Sequence, residues 1–214
     1  ATSVLYESIN CIIKGNILER DDYDTAMICL DRLHTFCDSS DPNLRYISCV
    51  LFYKIGKINT DFISKFDKLV FRLLSDVDVS IRSKAIELVE GVASEENLKN
   101  IVTILLKQFV DEDVVLLQND SIGTASSKEI PIVIPEQYKI KIVKTIIDIC
   151  SMKNFLHLSD FEWYNDVLWD LSVLSQDLPD ETLGIRIGEQ LRNIMVKVPS
   201  MRESTLSTII KILS

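Results

Sequence analysis

Glycine and proline are scarce in this 214-residue chain, at six and five residues, which excludes collagen-like, mucin-like and broadly disordered architectures. Histidine is scarcer still, at two. No GxSxG, HExxH or glycine-rich phosphate loop occurs, so the nucleophile, base and orienting group that catalysis needs are missing from the pattern. No catalytic residue, and no enzyme, is expected. Positive charge is in deficit, with 23 Lys and Arg against 32 Asp and Glu and a net charge of −9. A phosphate backbone would meet a repulsive field, which argues against nucleic acid as the main partner. No uninterrupted apolar stretch reaches the ~18 residues of a membrane-spanning helix, and Ala1-Thr2-Ser3 lacks the basic start of a leader. Amphipathic patterning begins by Val4 and runs to Leu213, as in a piece cut from a longer chain.

Paired cysteines are missing as well. Cys11, Cys29, Cys37, Cys49 and Cys150 form an odd set without a CxxC, and each stands where an apolar residue is expected, which predicts buried free thiols in a reducing compartment. A metal site from Cys29, His34, Cys37 and Asp41 is the alternative. Cys29 and Cys37 could share a helix face, but His34 points elsewhere and no paired ligand spacing accompanies it. No metal and no cofactor are expected.

What fills the chain is helical periodicity. Hydrophobic residues make up 47% of it and recur at helical spacing almost throughout, as in Ala26, Leu30, Leu33 and Cys37, or Leu98, Ile101, Val102, Leu105 and Phe109. The spacing predicts an all-α chain with helices near 3–14, 24–38, 42–57, 61–75, 79–91, 95–110, 136–152, 159–175, 181–197 and 200–213. Connections of a few residues make consecutive helices antiparallel hairpins. Asp41-Pro42 supplies an N-cap followed by a preset φ, Ser94-Glu95-Glu96 reads as a cap with favourable charge, and Ser159 to Glu162 has capping-box spacing. Helix 42–57 sets Leu44, Ile47, Leu51 and Ile55 against Tyr46, Cys49, Val50 and Tyr53. Helix 136–152 sets Val143, Ile147 and Cys150 against Ile142, Ile146 and Ile149. Helices apolar on two sides are sandwiched between neighbours, which favours an α-solenoid of HEAT/armadillo-like pairs over a bundle with one centre.

An internal repeat accompanies this. Asp41 with Arg45 and Asp78 with Arg82 share the pattern Asp-x-x-aliphatic-Arg, 37 positions apart, near the period of two-helix HEAT or armadillo units. Each Asp can cap its own helix, and each Arg can reach that Asp or the adjoining repeat's carbonyls. Between about 111 and 135 no helix can run, so 1–214 reads as one solenoid segment whose sub-blocks, 1–110 and 136–214, are joined by a long irregular loop. That stretch holds Glu112-x-x-x-Leu116-Leu117 with the form of a sorting signal, expected to be chance, and Ser126-Ser127, a possible phosphate acceptor. Ile130 to Ile134 is expected to tuck into the solenoid groove.

The densest aromatic cluster is Trp163, Tyr164 and Trp169 with Phe155 and Phe161. Large aromatics fill wide spaces between repeats, and where exposed they anchor partners, so Trp163, Tyr164 and Trp169 are candidates for both roles. Asp166 and Asp170 lie one turn apart and read as a solvated face. Lys139, Lys141, Lys144 and Lys153 form a basic run that is not one-sided and reads as solvated.

Taken together, Asp41-Pro-Asn-Leu-Arg-Tyr46, Tyr53-Lys-Ile-Gly-Lys57, Leu74-Ser-Asp-Val-Asp-Val-Ser-Ile-Arg82, Ala85-Ile-Glu-Leu88 and Glu95-Glu-Asn-Leu98 closely resemble the adaptin trunk. This is the helical-repeat part of the large subunits of clathrin-adaptor-type coats. Ile146-Ile-Asp-Ile-Cys-Ser151, Asp160-Phe-Glu-Trp-Tyr164 and Val196-Lys-Val-Pro-Ser-Met-Arg202 are similar to its delta branch, the large subunits of third adaptor complexes. The resemblance implies a right-handed α-solenoid scaffold in a heterotetrameric vesicle coat sorting cargo from Golgi or endosomes toward the lysosome or vacuole. The partners it implies are sigma, beta and medium adaptor subunits, an Arf-type GTPase and, through the complex, cargo tails. The expected place is cytoplasmic, with the membrane touched only peripherally. The alternative is a soluble HEAT/armadillo scaffold of nuclear-transport or phosphatase type that binds extended peptides.

Overall fold

Residues 2–110 and 134–213 are described by the structure, a computed structural model, and the apolar periodicity becomes eleven α-helices with no strand among these residues. They are α1 (Thr2–Lys14), α2 (Tyr23–Cys37), α3 (Pro42–Ile58), α4 (Asp67–Leu74), α5 (Val79–Ala85), α6 (Val89–Val92), α7 (Leu98–Val110), α8 (Glu136–Phe155), α9 (Phe161–Leu174), α10 (Thr182–Lys197) and α11 (Arg202–Leu213). Short 3₁₀ turns occupy Thr60–Ile63, Ile86–Leu88 and Pro199–Met201. The expected helix 61–75 is therefore a 3₁₀ turn followed by α4, and 79–91 is α5 and α6 with a 3₁₀ turn between them.

Aspartates set the starts of α2, α3, α5 and α9, because a carboxylate placed before the first turn accepts an otherwise orphaned N–H. Asp41 accepts from the Asn43 N–H (2.9 Å), Asp78 from the Ser80 N–H (2.8 Å) and Asp22 from the Thr25 N–H (3.0 Å). Two expected caps are corrected. The cap of α9 is Asp160, which accepts from the Trp163 N–H at 2.9 Å; Ser159 lies one residue too early. Ser94 does not cap a helix at 95, because the Asn97 side chain accepts from its N–H and donates to the Val92 carbonyl, so α7 begins at Leu98. At the far end of α8, Met152 is extended and Lys153 and Asn154 are left-handed, so the regular helix stops near the predicted 152.

The chain divides into two compact units, Ala1–Ile101 with Asp148–Ser159, and Val102–Ile147 with Asp160–Ser214. The division passes through α7 and α8 rather than between the sub-blocks expected at 110 and 136. In the first unit α3 packs on α2, on α5 and on the Thr60–Ile63 turn, and α4 packs on α5. Leu51, Phe52 and Ile55 are wholly enclosed with Leu30, Leu33, Ile81 and Ala85. Ile63 is pressed against two helices that have glycine at the contact: a Cβ on Gly56 would lie 2.8 Å, and one on Gly91 2.4 Å, from its Cδ1. In the second unit α9 packs on α10 and α11, and α10 on α11. On α8, Ile142, Val143, Ile146 and Ile147 are all buried, the two-sided burial read from its pattern. Consecutive helices packed on each other, with inner helices covered on two sides, place the chain in the all-α helical-repeat class.

Candidate partner interface

The repeat residues come together through a carboxylate that the pattern did not single out. Arg45 Nε donates to Asp76 Oδ2 at 2.8 Å and Nη2 to Oδ1 at 3.0 Å, a bidentate pair with only 13% and 10% of the side chains exposed. Arg45 Nη1 also donates to the Ser39 and Ser40 carbonyls, at 2.9 and 3.2 Å. Asp76 Oδ1 accepts the Asp78 N–H (3.0 Å), and Arg82 Nε donates to the Asp76 carbonyl. Asp41 and Asp78 thus act as helix caps, whereas Asp76 ties the turn before α3 to the turn before α5. The Asp76 carboxylate, bonded to the Arg45 guanidinium, raises the latter's pKa above its ordinary value. The available sequence signal was a second carboxylate, two residues ahead of Asp78, for which a single-cap reading had no use.

The aromatic candidates separate by burial. Tyr164 is fully enclosed, so the expectation that it anchors a partner is corrected: its side chain faces the helices packed on α9 and offers no outer surface. Trp163 and Trp169 are partly exposed. Trp169, Asp170 and Val173 of α9 line a groove of about 560 Å³ with Thr103, Leu106 and Lys107 of α7. Burial, and then the charge of Asp166 one turn away, push the Asp170 carboxyl up. Lys144, expected to be solvated, pairs with Asp180 at 2.7 Å. That ammonium, with bonds from Thr182, holds the Asp180 carboxyl down to about 2.

Among the described residues no three His, Cys, Asp or Glu side chains are grouped as a metal ion requires. The His34 ring packs edge-on to Phe66 at 6.1 Å. Cys29, Cys37, Cys49 and Cys150 are buried free thiols, while Cys11 is exposed, against expectation, because it lies on the outer face of α1. Burial raises the thiol pKa at Cys150 and Cys29; at Cys49 a hydrogen bond with the Cys37 thiol raises it first and burial second. The dileucine-like stretch, the serine pair and Ile130 to Val133 lie outside the described residues. A larger groove, about 990 Å³, runs along α10 and α11 and is lined by Leu183, Ile187, Leu191, Ile209 and Ile212.

Braced helix turns and surface grooves of this kind belong to a helical-repeat chain. Comparison with known proteins specifies which repeat family. The sequence model of the Adaptin N terminal region matches residues 1–214, and the chain belongs to that family. It is 70% identical to the AP-3 complex subunit delta of Saccharomyces cerevisiae over all of its length and 23% of the relative's. It is 59% identical to that of Eremothecium gossypii over 99% of this chain and 23% of the relative's. The chain thus spans about a quarter of the length of these curated relatives. A structure described as a homology model of the full-length AP-3 complex in an intermediate open conformation contains a chain that is 69% identical. The match has a TM-score of 0.82 and covers 100% of this chain and 37% of that one.

Proposed function

We propose that this chain is a scaffold segment of an adaptor-coat large subunit of the delta type. It carries no catalysis and serves cargo sorting and vesicle-mediated transport from Golgi or endosomes toward the lysosome or vacuole. The observation that carries this reading is 70% identity over the whole chain to a subunit of the AP-3 complex. The partners that follow are sigma, beta and medium adaptor subunits, an Arf-type GTPase that recruits the coat, and cargo tails bound through the complex. No helix among the described residues is long and apolar enough to cross a membrane, which suits a subunit that reaches the membrane peripherally from the cytoplasm. Braces such as Arg45–Asp76 keep neighbouring repeats in register, as an assembly surface requires, and the groove beside Trp169 is the partner surface we assign within the segment.

Affinity capture of the full-length protein tests this. One small, one medium and one second large adaptor subunit should co-purify in equal amounts, and Trp169→Ala should weaken that recovery while leaving the circular dichroism spectrum unchanged. Recovery of the chain alone, or with extended basic peptides in their place, would overturn the coat reading.

A further inference from the structure

Helix α9 carries no basic residue, and its acidic ones fall in a line: Glu162, Asp166 and Asp170 stand one turn apart, and all three are exposed. Like charges at that spacing cost a helix stability. None of the three carboxylates has an ion pair among the described residues. Burial comes first in pushing the Asp170 carboxyl up, and the like charge of Asp166 adds to it. Beside this line runs the groove of about 560 Å³ between α7 and α9, which lies wholly within the second unit. Its lining is largely apolar: Leu106, Trp169 and Leu174 are half-buried, and Val173 is 47% exposed. The two walls differ in charge, with Asp170 on the α9 side and Lys107 on the α7 side. An apolar groove edged by charge of one sign is shaped for the apolar face of an amphipathic helix.

We propose, resting on the assignment of this groove as the segment's partner surface, that it seats an amphipathic helix of another polypeptide, whose apolar face covers Trp169 and Val173 and whose lysines or arginines lie along Glu162, Asp166 and Asp170. Charge complementarity selects this occupant. The carboxylates recur every ~6 Å along α9, and side chains one turn apart on a second helix recur at the same interval, so successive cations can meet successive acids. An anionic membrane surface would meet the same stripe as a like charge and be repelled. A second copy of this chain, docked by a two-fold axis on the stripe, would set acid against acid. Lys107 on the opposite wall fixes which side of the incoming helix is basic, since a cation turned toward α7 would face a like charge.

The test uses the full-length protein, purified with its partners and carrying benzoylphenylalanine in place of Val173. The expected product is a crosslink to one partner polypeptide, within a peptide that bears Lys or Arg residues at helical spacing. In protein without the crosslinker, Asp166→Lys combined with Asp170→Lys should lower recovery of that partner about tenfold. Asp177→Lys, a charge reversal after the end of α9 and outside the groove, should leave recovery within about twofold. The circular dichroism spectrum should be the same for all three proteins, and changing the partner's crosslinked basic residues to Glu should restore its recovery by the double variant. A crosslink to residues 111–133 of the same chain, to a second copy, or to a peptide without basic residues overturns the proposal. So does the absence of a crosslink, or recovery that the double reversal leaves unchanged. Normal co-purification of adaptor subunits with the double variant would sink this inference alone; a crosslink to a basic helix of a chain that is not an adaptor subunit would sink the coat reading and leave this one standing.

Discussion

Replacing Asp76 by alanine removes the acceptor that both oxygens present to Arg45 and leaves the guanidinium enclosed with only the Ser39 and Ser40 carbonyls. Breaking a fully buried ion pair from one side costs about 3–5 kcal/mol, since the stranded charge keeps its desolvation penalty. With 13% and 10% of the two side chains still exposed, the expected loss is about 2–4 kcal/mol. For a chain of this length that corresponds to a fall in Tm of roughly 2–4 °C per kcal/mol. Urea unfolding followed by circular dichroism gives the free energy directly, and a double-mutant cycle with Arg45→Ala should yield a coupling of at least ~1 kcal/mol. A built-in comparison is the Arg72–Asp38 pair, which is as short, at 2.6 Å, but more than half exposed on both sides. Its removal should cost no more than about 1 kcal/mol. If Asp76→Ala and Arg72→Ala shift the midpoint equally, the claim that burial makes Asp76 the brace between turns is wrong.

Gly91→Ala places a methyl on Ile63, at a cost of about 1–3 kcal/mol by overpacking; the same substitution should cost less in an Ile63→Ala background, itself destabilised by its cavity, and unchanged urea midpoints for Gly91→Ala would refute the close contact. Of the five thiols, only Cys11 should be alkylated rapidly in the native chain, counted by intact mass, because the other four are enclosed and the thiol pKa is raised at Cys29, Cys49 and Cys150. Asp180 should titrate near 2 by carbon NMR, against 3.8 for an ordinary aspartate. Its folded pKa being the lower one, the stability it contributes is present above about pH 4 and is lost as pH falls toward 2; Lys144→Met should move the titration upward and flatten that pH dependence.

Helix content, the two-sided burial of α8 and the capping roles of Asp41 and Asp78 were legible in the order of residues, because each depends on spacing within one or two turns; the second apolar side expected of α3 was not, since Tyr46 is exposed. The resemblance to adaptin trunks was legible too, since it lies in strings of adjacent residues. Local competition already blurred the starts: Asn97 took the bonds that Ser94 was expected to use, and Asp160 preceded Ser159 in fitness for the cap of α9. Partners across more than thirty positions were beyond reach. That Arg45 closes on Asp76, that Tyr164 is enclosed while Trp169 borders a groove, and that α11 turns Thr205 and Thr208 inward each depend on which helix lies against which. Periodicity says that a face is apolar; only packing decides what meets it. The sequence by itself determined the helices and their two-faced character because hydrogen bonding and side-chain spacing are local. The tertiary structure alone decided the braces and the exposed faces, because desolvation is a property of neighbours distant in the chain.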